Sequence, residues 1–194
     1  MRVCAVAMAL MLASAFGPRM ALGAPTQKFI IDDTHTSALF KVSHLGFSNV
    51  YGLMGGAEGF IQFNEAQPEK STFEISFKPE TTHSLAAKRD DHLKKQDFFN
   101  AKQFPKITLK SKSIKKLDGN KYEVNGELTL HGVPKPLKVI FTHFKTAKDP
   151  WGKTRFGGEA QFQITRTEFN MTYMSKAEEL GDTVDLIVNV EAVR

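Results

Sequence analysis

The sequence predicts an all-β fold made of antiparallel strands, with one short helix. Apolar and polar residues alternate with a period of two along most of the chain, and short turn-forming segments separate the alternating stretches. A single stretch has helical spacing instead. Seven or more strands with one buried and one solvated face form either a sandwich or a closed barrel, and periodicity alone does not separate these architectures.

The alternation is clearest in three segments. In 72–78 the apolar residues are Phe73, Ile75 and Phe77, and the alternation in 122–130 includes Leu128 and Leu130. The final strand repeats the pattern over 184–192. Because successive side chains on a strand point to opposite faces, we expect these apolar residues to face one interior. Weaker alternation is present in 38–42, 107–109, 137–141 and 160–164.

Two segments between strands have the composition of tight turns. They are Asp118-Gly119-Asn120 and His131-Gly132-Val133-Pro134-Lys135-Pro136. Several glycines follow Tyr51, which predicts a sharp bend or the close approach of another backbone in that region. These glycines are Gly52, Gly55, Gly56 and Gly59.

The helical stretch runs from Ser84 to Phe99. Ser84 is a suitable N-cap, and the spacing of Asp90–Lys94 and Asp91–Lys95 predicts two stabilising ion pairs. Helical spacing also places four residues on one face, which we expect to lie across an opening of the β-structure. They are Arg89, His92, Leu93 and Gln96.

Residues 1–23 have the plan of a secretory signal peptide. A positive start at Met1-Arg2 precedes an apolar run that is too short to span a membrane. Cleavage after Gly23 leaves residues 24–194 as the mature domain, and Ala15 is a second candidate cleavage site. The single cysteine, Cys4, lies in this segment. We therefore expect an exported domain that is free of cysteine.

Positive charge is concentrated in one part of the chain. The whole chain has a formal net charge of +5, whereas residues 88–121 contain eleven bases and four acids, a net +7. Such a segment attracts nucleic acid, an anionic membrane or a phosphorylated ligand. Export argues against nucleic acid. Transient contact with an anionic membrane surface and attraction of a phosphorylated ligand remain as hypotheses, beside the commonest explanation, an ordinary solvated face.

The sequence contains no recognised motif for metal binding or catalysis. It has no H-E-x-x-H element, no cysteine pair, no G-x-S-x-G element and no phosphate-binding glycine loop. Strand phase directs His44 and His143 inward, and Asp90 with His92 is a candidate acid–base pair. We expect no metal, no cofactor and no enzyme activity, and the acid–base pair is the basis of an alternative.

Seven motifs, in order along the chain, resemble those of the YceI-like family. They are Ile31-Asp32-x-x-His35-x-Ser37-x-x-x-Phe40-x-Val42-x-His44, Arg89-Asp90-x-His92-Leu93, Asp97-Phe98-Phe99 with Phe104-Pro105-x-Ile107, Gly126-Glu127-Leu128-Thr129-Leu130-His131-Gly132-Val133-x-x-Pro136, Trp151-Gly152, Arg166-x-x-Phe169-x-Met171 and Val190-Glu191-Ala192-Val193. The family usually has glycine where this chain has Asn170. Asparagine tolerates left-handed backbone, so we expect that turn to persist.

The resemblance implies an extended lipocalin-like antiparallel β-barrel of about eight strands over residues 24–194. It also implies that the interior holds a long isoprenoid lipid, such as a quinone or a prenyl phosphate, and that the exported protein is a carrier in the bacterial periplasm. The residues themselves leave a solid core open as an alternative to a cavity, because protein interiors are normally close-packed. A lipid-modifying hydrolase or isomerase that uses Asp90 and His92 is the alternative function.

The predicted site has two parts, and the protein is expected to be a monomer or a homodimer. Arg89, His92 and His44 are predicted to contact the lipid head group. Inward-facing apolar residues are predicted to contact the tail. These residues are Phe40, Val42, Phe73, Ile75, Phe77, Ile107, Leu109, Leu128, Leu130, Phe141, Phe162 and Ile164.

Overall fold

The computed structural model describes residues 25–176 and 179–194. The predicted signal segment, with both candidate cleavage sites, therefore lies outside the described residues. Within the described ranges, no helix is both long enough and apolar enough to cross a membrane.

Ten strands and one α-helix make up most of the described chain. The helix is α1 (Ala87–Leu93), and short 3-10 helices span Pro68–Lys70, Pro79–Thr81 and Arg166–Phe169. The strands are β1 (Gln27–Ile31), β2 (Ser37–His44), β3 (Ser48–Met54), β4 (Glu58–Phe63), β5 (Thr72–Phe77), β6 (Ile107–Lys116), β7 (Lys121–Leu130), β8 (Val133–Lys148), β9 (Thr154–Thr165) and β10 (Leu180–Val193).

Eight of these strands form a closed antiparallel barrel, in the order β1-β4-β5-β6-β7-β8-β9-β10. The ring closes where Ile30 and Ile31 of β1 pair with Val193 and Ala192 of β10. The earlier part of β10 pairs with β2, which in turn pairs with β3. β1 and β2 thus occupy the same edge of β10 in succession, and the β2–β3 hairpin extends the wall. The predicted barrel of about eight strands is confirmed.

The strand register distinguishes the two ends of the barrel. We call the end with the β2–β3 and β7–β8 turns and the β9–β10 connection the mouth. Segment 78–106, which contains α1, leaves β5 and re-enters β6 at this end, since Phe77 pairs with Ile107. The opposite end, with the β6–β7 and β8–β9 turns, is the base.

The predicted phase of β5 and β7 is confirmed. Ile75, Phe77 and Leu128 are buried, at 4%, 6% and 5% exposure. Glu74 and Glu127 lie on the outer wall, where they pair with Lys110 and Lys112 at 3.1 and 2.9 Å. The alternation therefore predicted which face of each strand forms the interior.

The β7–β8 connection is tighter than the sequence indicated. Only His131 and Gly132, both at positive φ, form the turn, and Leu130 pairs directly with Val133. Pro134 and Pro136 belong to β8. They occupy the positions whose backbone nitrogens face away from β7, and β8 pairs with β9 only from Phe141 onward. The missing N–H groups therefore cost no ladder hydrogen bond.

The glycines after Tyr51 lie where other groups approach closely. A Cβ atom on Gly59, which has a φ of +132°, would lie 2.0 Å from the carbonyl oxygen of Glu74 on β5. A Cβ atom on Gly52 would lie 2.2 Å from the Phe40 ring. Glycine at these two positions allows the backbone of β4 to approach β5 and the backbone of β3 to approach the Phe40 ring.

The predicted helix over 84–99 is too long. α1 begins after Ala86, and Ser84 does not cap it. The predicted Asp90–Lys94 ion pair is also wrong, because the Lys94 amine lies 3.8 Å from Glu80 while Asp90 contacts His83 and Ser84. Among the described residues, Asp91 and Lys95 make no ion pair either. Side-chain bonds outside the helix replace the i,i+4 pairs.

Candidate ligand cavity

A cavity of about 400 Å³ occupies the barrel interior. This volume falls in the range of roughly 300–1,000 Å³ that is typical of small-molecule sites. Most of its lining side chains are aliphatic or aromatic, and they come from β2 through β10, α1 and the segments beside them. The interior is therefore hollow rather than filled.

All twelve residues that were predicted to contact the lipid tail line this cavity. Their contact with a ligand stays a prediction. The sequence analysis predicted the inward face of β10 from its alternation but did not include that face among the tail contacts. That face contributes Val184, Leu186, Val188 and Val190.

An aromatic cluster closes the base of the cavity. The ring centroids of Phe63 lie 5.6, 5.1 and 5.1 Å from those of Tyr122, His143 and Phe156, and His143 stacks on Phe156 at 4.8 Å. His143 points inward, as strand phase indicated, and its Nε2 lies 2.8 Å from the Thr146 hydroxyl. Burial lowers the pKa of His143, so the neutral ring is favoured at this end.

Helix α1 covers the mouth, with Arg89, His92 and Leu93 in the cavity lining. Arg89 is held by two bonds to Ser84: its Nε donates to the hydroxyl at 2.8 Å and its Nη2 to the carbonyl oxygen at 2.5 Å. Asp90 accepts hydrogen bonds from the Ser84 hydroxyl and, at 2.7 Å, from the Ser84 amide. The Ser84 side chain is the main cause that lowers the pKa of the Asp90 carboxyl. These bonds fix the first turn of α1 to the chain before it.

His92 and His44 also line the cavity near the mouth. His92 Nε2 lies 2.9 Å from the Asp97 carboxylate, and its ring makes edge contacts with Phe98 and Tyr173 at 5.0 Å each. His44 is exposed at the end of β2. The structure thus brings the three predicted head-group residues to one end of the cavity, and their contact with a head group stays a prediction.

Asp90 and His92 do not form the acid–base pair that the sequence suggested. Asp90 contacts His83 at 3.0 Å, and it is not among the residues that line the cavity. His92 pairs with Asp97 instead. Helical spacing puts positions 90 and 92 on different faces of α1, so the two side chains diverge.

Arg166 is a lining residue that the sequence analysis did not assign to the site. It is 3% exposed, and burial lowers the pKa of its guanidinium group. Among the described residues, the hydrogen-bond acceptors of this guanidinium are all backbone carbonyl oxygens. Nε donates to Gly181, Nη1 donates to Met171 and Tyr173, and Nη2 donates to Met174 and Leu180, at 2.6–3.0 Å. Arg166 therefore holds together the backbone of 171–174 and the start of β10 at the mouth.

The turn next to Arg166 tolerates the departure from the family pattern. Asn170 has a φ of 61° and a ψ of 16°, which is left-handed backbone. Asparagine adopts this conformation more readily than most residues, so the turn persists without glycine.

The basic segment 88–121 does not form one patch. Its first part, 88–106, lies at the mouth with a net charge of +3, and the remaining residues, with a net +4, run along β6 to the base. On the outer wall Lys110 and Lys112 are paired with glutamates. The attraction expected at the mouth is therefore smaller than a net +7 implies.

One group of metal-ligating residues occurs in the described part of the chain. Donor atoms of Asp32, His35 and Glu191 lie within 4.8 Å of one another. Arg155 Nη1 already donates to Asp32 at 2.7 Å and to Glu191 at 2.5 Å. The guanidinium supplies the positive charge at this position. The Thr34 hydroxyl is the main cause that lowers the pKa of the Asp32 carboxyl, and the hydrogen bond from Arg155 lowers it further.

Comparison with known proteins agrees with this architecture. A model of the YceI-like domain matches residues 29–192. Protein YceI of Escherichia coli O157:H7 is 35% identical over 161 residues, which cover 82% of each chain. The UPF0312 protein plu2095 of Photorhabdus laumondii is 33% identical over 171 residues, which cover 88% of each chain.

Solved structures share the same fold. BcnA of Burkholderia cenocepacia superimposes with a TM-score of 0.74 at 20% identity, over 84% of this chain and 99% of that chain. A polyisoprenoid binding domain from Saccharophagus degradans superimposes with a TM-score of 0.65 at 11% identity, over 84% and 97% of the two chains. The family model and the sequence relatives show that the chain belongs to the YceI-like family.

Proposed function

We propose that this protein binds a long-chain isoprenoid lipid, of the quinone or prenyl phosphate type, and carries it without chemical change. The observation that supports the proposal is the apolar cavity of about 400 Å³ inside a closed barrel. A related fold described as a polyisoprenoid binding domain adds support. We also propose that residues 1–23 direct the protein to the periplasm.

Tail burial alone does not explain how a carrier selects its lipid. Each methylene removed from water contributes about 0.8 kcal/mol, yet a tail in a bilayer is already out of water. Selection must therefore depend on the head group or on the shape of the cavity. The basic side chains of the lining all come from mouth elements, and the described lining contains no carboxylate. They are His44, Arg89, His92 and Arg166.

The non-catalytic part of the proposal rests on the partners of Asp90 and His92. Each is bonded to another residue, and Asp90 lies outside the cavity lining. Lipids incubated with the protein should be recovered unchanged by mass spectrometry. Conversion of a lipid that depends on His92 would favour the hydrolase or isomerase instead.

The central test is native mass spectrometry of protein purified from the periplasm, followed by organic extraction. An isoprenoid should be released. Ala160→Trp places an indole at an inward, 7% exposed position, so this variant should be purified without lipid. Gln161→Trp adds the same group at the next, exposed position and should retain the lipid. No isoprenoid in the wild-type extract, or full occupancy of Ala160→Trp, would refute the proposal.

A second test identifies the head group. A prenyl phosphate should lose affinity in Arg89→Ala and at high salt, because Arg89 offers charge-assisted bonds and exposed charges are screened beyond about 8–10 Å. A neutral quinone should respond weakly to both changes. Lys88→Ala is the matched control, since Lys88 is exposed beside Arg89 and does not line the cavity. If neither ligand responds to Arg89→Ala, the head group lies elsewhere.

A further inference from the structure

Apolar side chains project into solvent around the mouth. Phe47 is 90% exposed in the β2–β3 turn, with Leu45 beside it at 38%. Leu85, which is 89% exposed, follows the Ser84 that holds Arg89. Tyr173 lines the cavity and is 40% exposed. Single exposed apolar residues are ordinary, but several around one opening indicate a contact surface.

Two of these residues occupy backbone conformations that disfavour them. Leu45 has a φ of 51° and Leu85 a φ of 65°. Glycine or asparagine fits left-handed backbone better than a branched apolar side chain does. Neither leucine lines the cavity, and the Leu85 side chain projects into water, whereas Leu45 is 38% exposed. Their presence at strained positions favours a role outside folding.

The part of the mouth that contains α1 is positively charged, whereas the β9–β10 connection carries more acids than bases over 165–182. The segment 88–106 has a net charge of +3. Lys88, Lys95 and Lys102 are exposed, and within the described ranges none of them makes an ion pair. Exposed apolar side chains, together with lysines that make no ion pair, complement an anionic bilayer, whose charged surface covers a hydrocarbon interior.

We infer that the mouth docks on an anionic phospholipid bilayer through Leu45, Phe47, Leu85 and the exposed lysines of segment 88–106. The inference rests on the proposed carrier function, since a long-chain lipid would then pass between membrane and cavity without crossing water. Phe47 and Leu85 enter the bilayer surface, and the lysines contact lipid head groups.

The single tryptophan allows the docking orientation to be measured. Trp151 lies in the β8–β9 turn at the base and is 81% exposed. Phe47→Trp combined with Trp151→Phe moves the fluorophore to the mouth. Vesicles of phosphatidylethanolamine and phosphatidylglycerol should shift the emission of this variant to shorter wavelength and leave that of the wild type unchanged. A shift of the wild type alone would overturn the inference.

Binding is measured by flotation with the same vesicles and with phosphatidylcholine vesicles. Phe47→Ser combined with Leu85→Asn should reduce binding to the anionic vesicles at least roughly tenfold, because each side chain buries apolar area. Leu85→Asn alone should not lower the thermal unfolding midpoint, since asparagine tolerates the backbone. Phe144→Ser combined with Trp151→Ser, two exposed aromatic positions away from the mouth, should bind like the wild type.

The outcomes separate docking from lipid binding. The inference is overturned if Phe47→Ser combined with Leu85→Asn, here called the mouth variant, binds vesicles as well as the wild type does. It is also overturned if the wild type floats with neither kind of vesicle. In that second case, a protein rather than a bilayer would be the partner that the mouth contacts. A soluble short-chain isoprenoid should bind the wild type and the mouth variant equally, because Phe47 and Leu85 do not line the cavity. If the wild type does not bind this isoprenoid, the carrier function is refuted, whereas the result of the vesicle experiment is unaffected.

Discussion

A hollow interior should change the free energy that is lost when Phe77 is truncated. Phe77 is 6% exposed, and one side of its ring borders the cavity. Phe→Ala in a packed core costs about 3–5 kcal/mol, which combines lost transfer energy with the energy of a new void. The transfer part, about 1.5–3 kcal/mol, remains for Phe77, whereas the void part shrinks because the space beside the ring is already empty. We expect Phe77→Ala to cost about 1.5–3 kcal/mol.

The control is Phe29→Ala. Phe29 is 0% exposed, packs on Phe156 at 5.7 Å between ring centroids, and does not line the cavity. It should cost the full ~3–5 kcal/mol. Urea unfolding of delipidated protein measures both values, since bound lipid would stabilise the wild type by mass action. Equal losses for the two variants would show that the interior is filled and would refute the cavity argument.

Three further predictions concern the base, the mouth and the wall. Because burial lowers the pKa of His143 below 6.5, the unfolded state takes up the proton first, and stability should fall as pH decreases below that value. Urea unfolding at about pH 7.5 and about pH 5.5 should show a smaller decrease in His143→Phe, and an unchanged decrease would contradict the assignment. Arg166→Leu should lower the free energy of unfolding by at least about 3 kcal/mol, because it leaves backbone carbonyls without their hydrogen-bond donor. A loss below about 1 kcal/mol would show that the Arg166 hydrogen bonds do not hold the mouth together. Gly59→Ala should lower the unfolding midpoint far more than Gly119→Ala, since only the former meets backbone; similar shifts would argue against the close β4–β5 approach.

The interior face of the barrel was predictable because strand periodicity is a local property. Phe73, Ile75 and Phe77 alternate with polar neighbours, and burial follows directly from that spacing. Ring closure was not predictable in this way. It depends on the pairing of β1 with Ala192 and Val193, residues more than 150 positions away along the chain, and no local pattern records this partner.

The error at α1 has a different cause. The i,i+4 spacing of Asp90 and Lys94 favours a longer helix. Asp90 instead forms hydrogen bonds with Ser84 and His83, which precede the helix. Short polar side chains that bond nearby backbone compete with helical structure, and here these bonds accompany the later start of α1, at Ala87 rather than after Ser84. Tertiary context likewise hides Arg166, since an arginine that donates to backbone carbonyls has no acidic partner that spacing would reveal.

Backbone strain is distributed unequally between the two ends of the barrel. Within the described ranges, every non-glycine residue with positive φ lies at the mouth or in its connections: Leu45, Leu85, Asn100, His131, Asn170 and Met174. At the base, the turns with positive φ use Gly119 and Gly152, which adopt this backbone without steric cost. The base is also closed by the aromatic cluster and fastened by Arg155. Stabilising contacts at one end offset strained backbone at the other, and strain of this kind concentrates where a protein meets its ligands. The non-glycine residues with left-handed backbone therefore lie at the end of the barrel that carries the proposed docking surface, and the aromatic cluster and the Arg155 ion pairs lie at the other end.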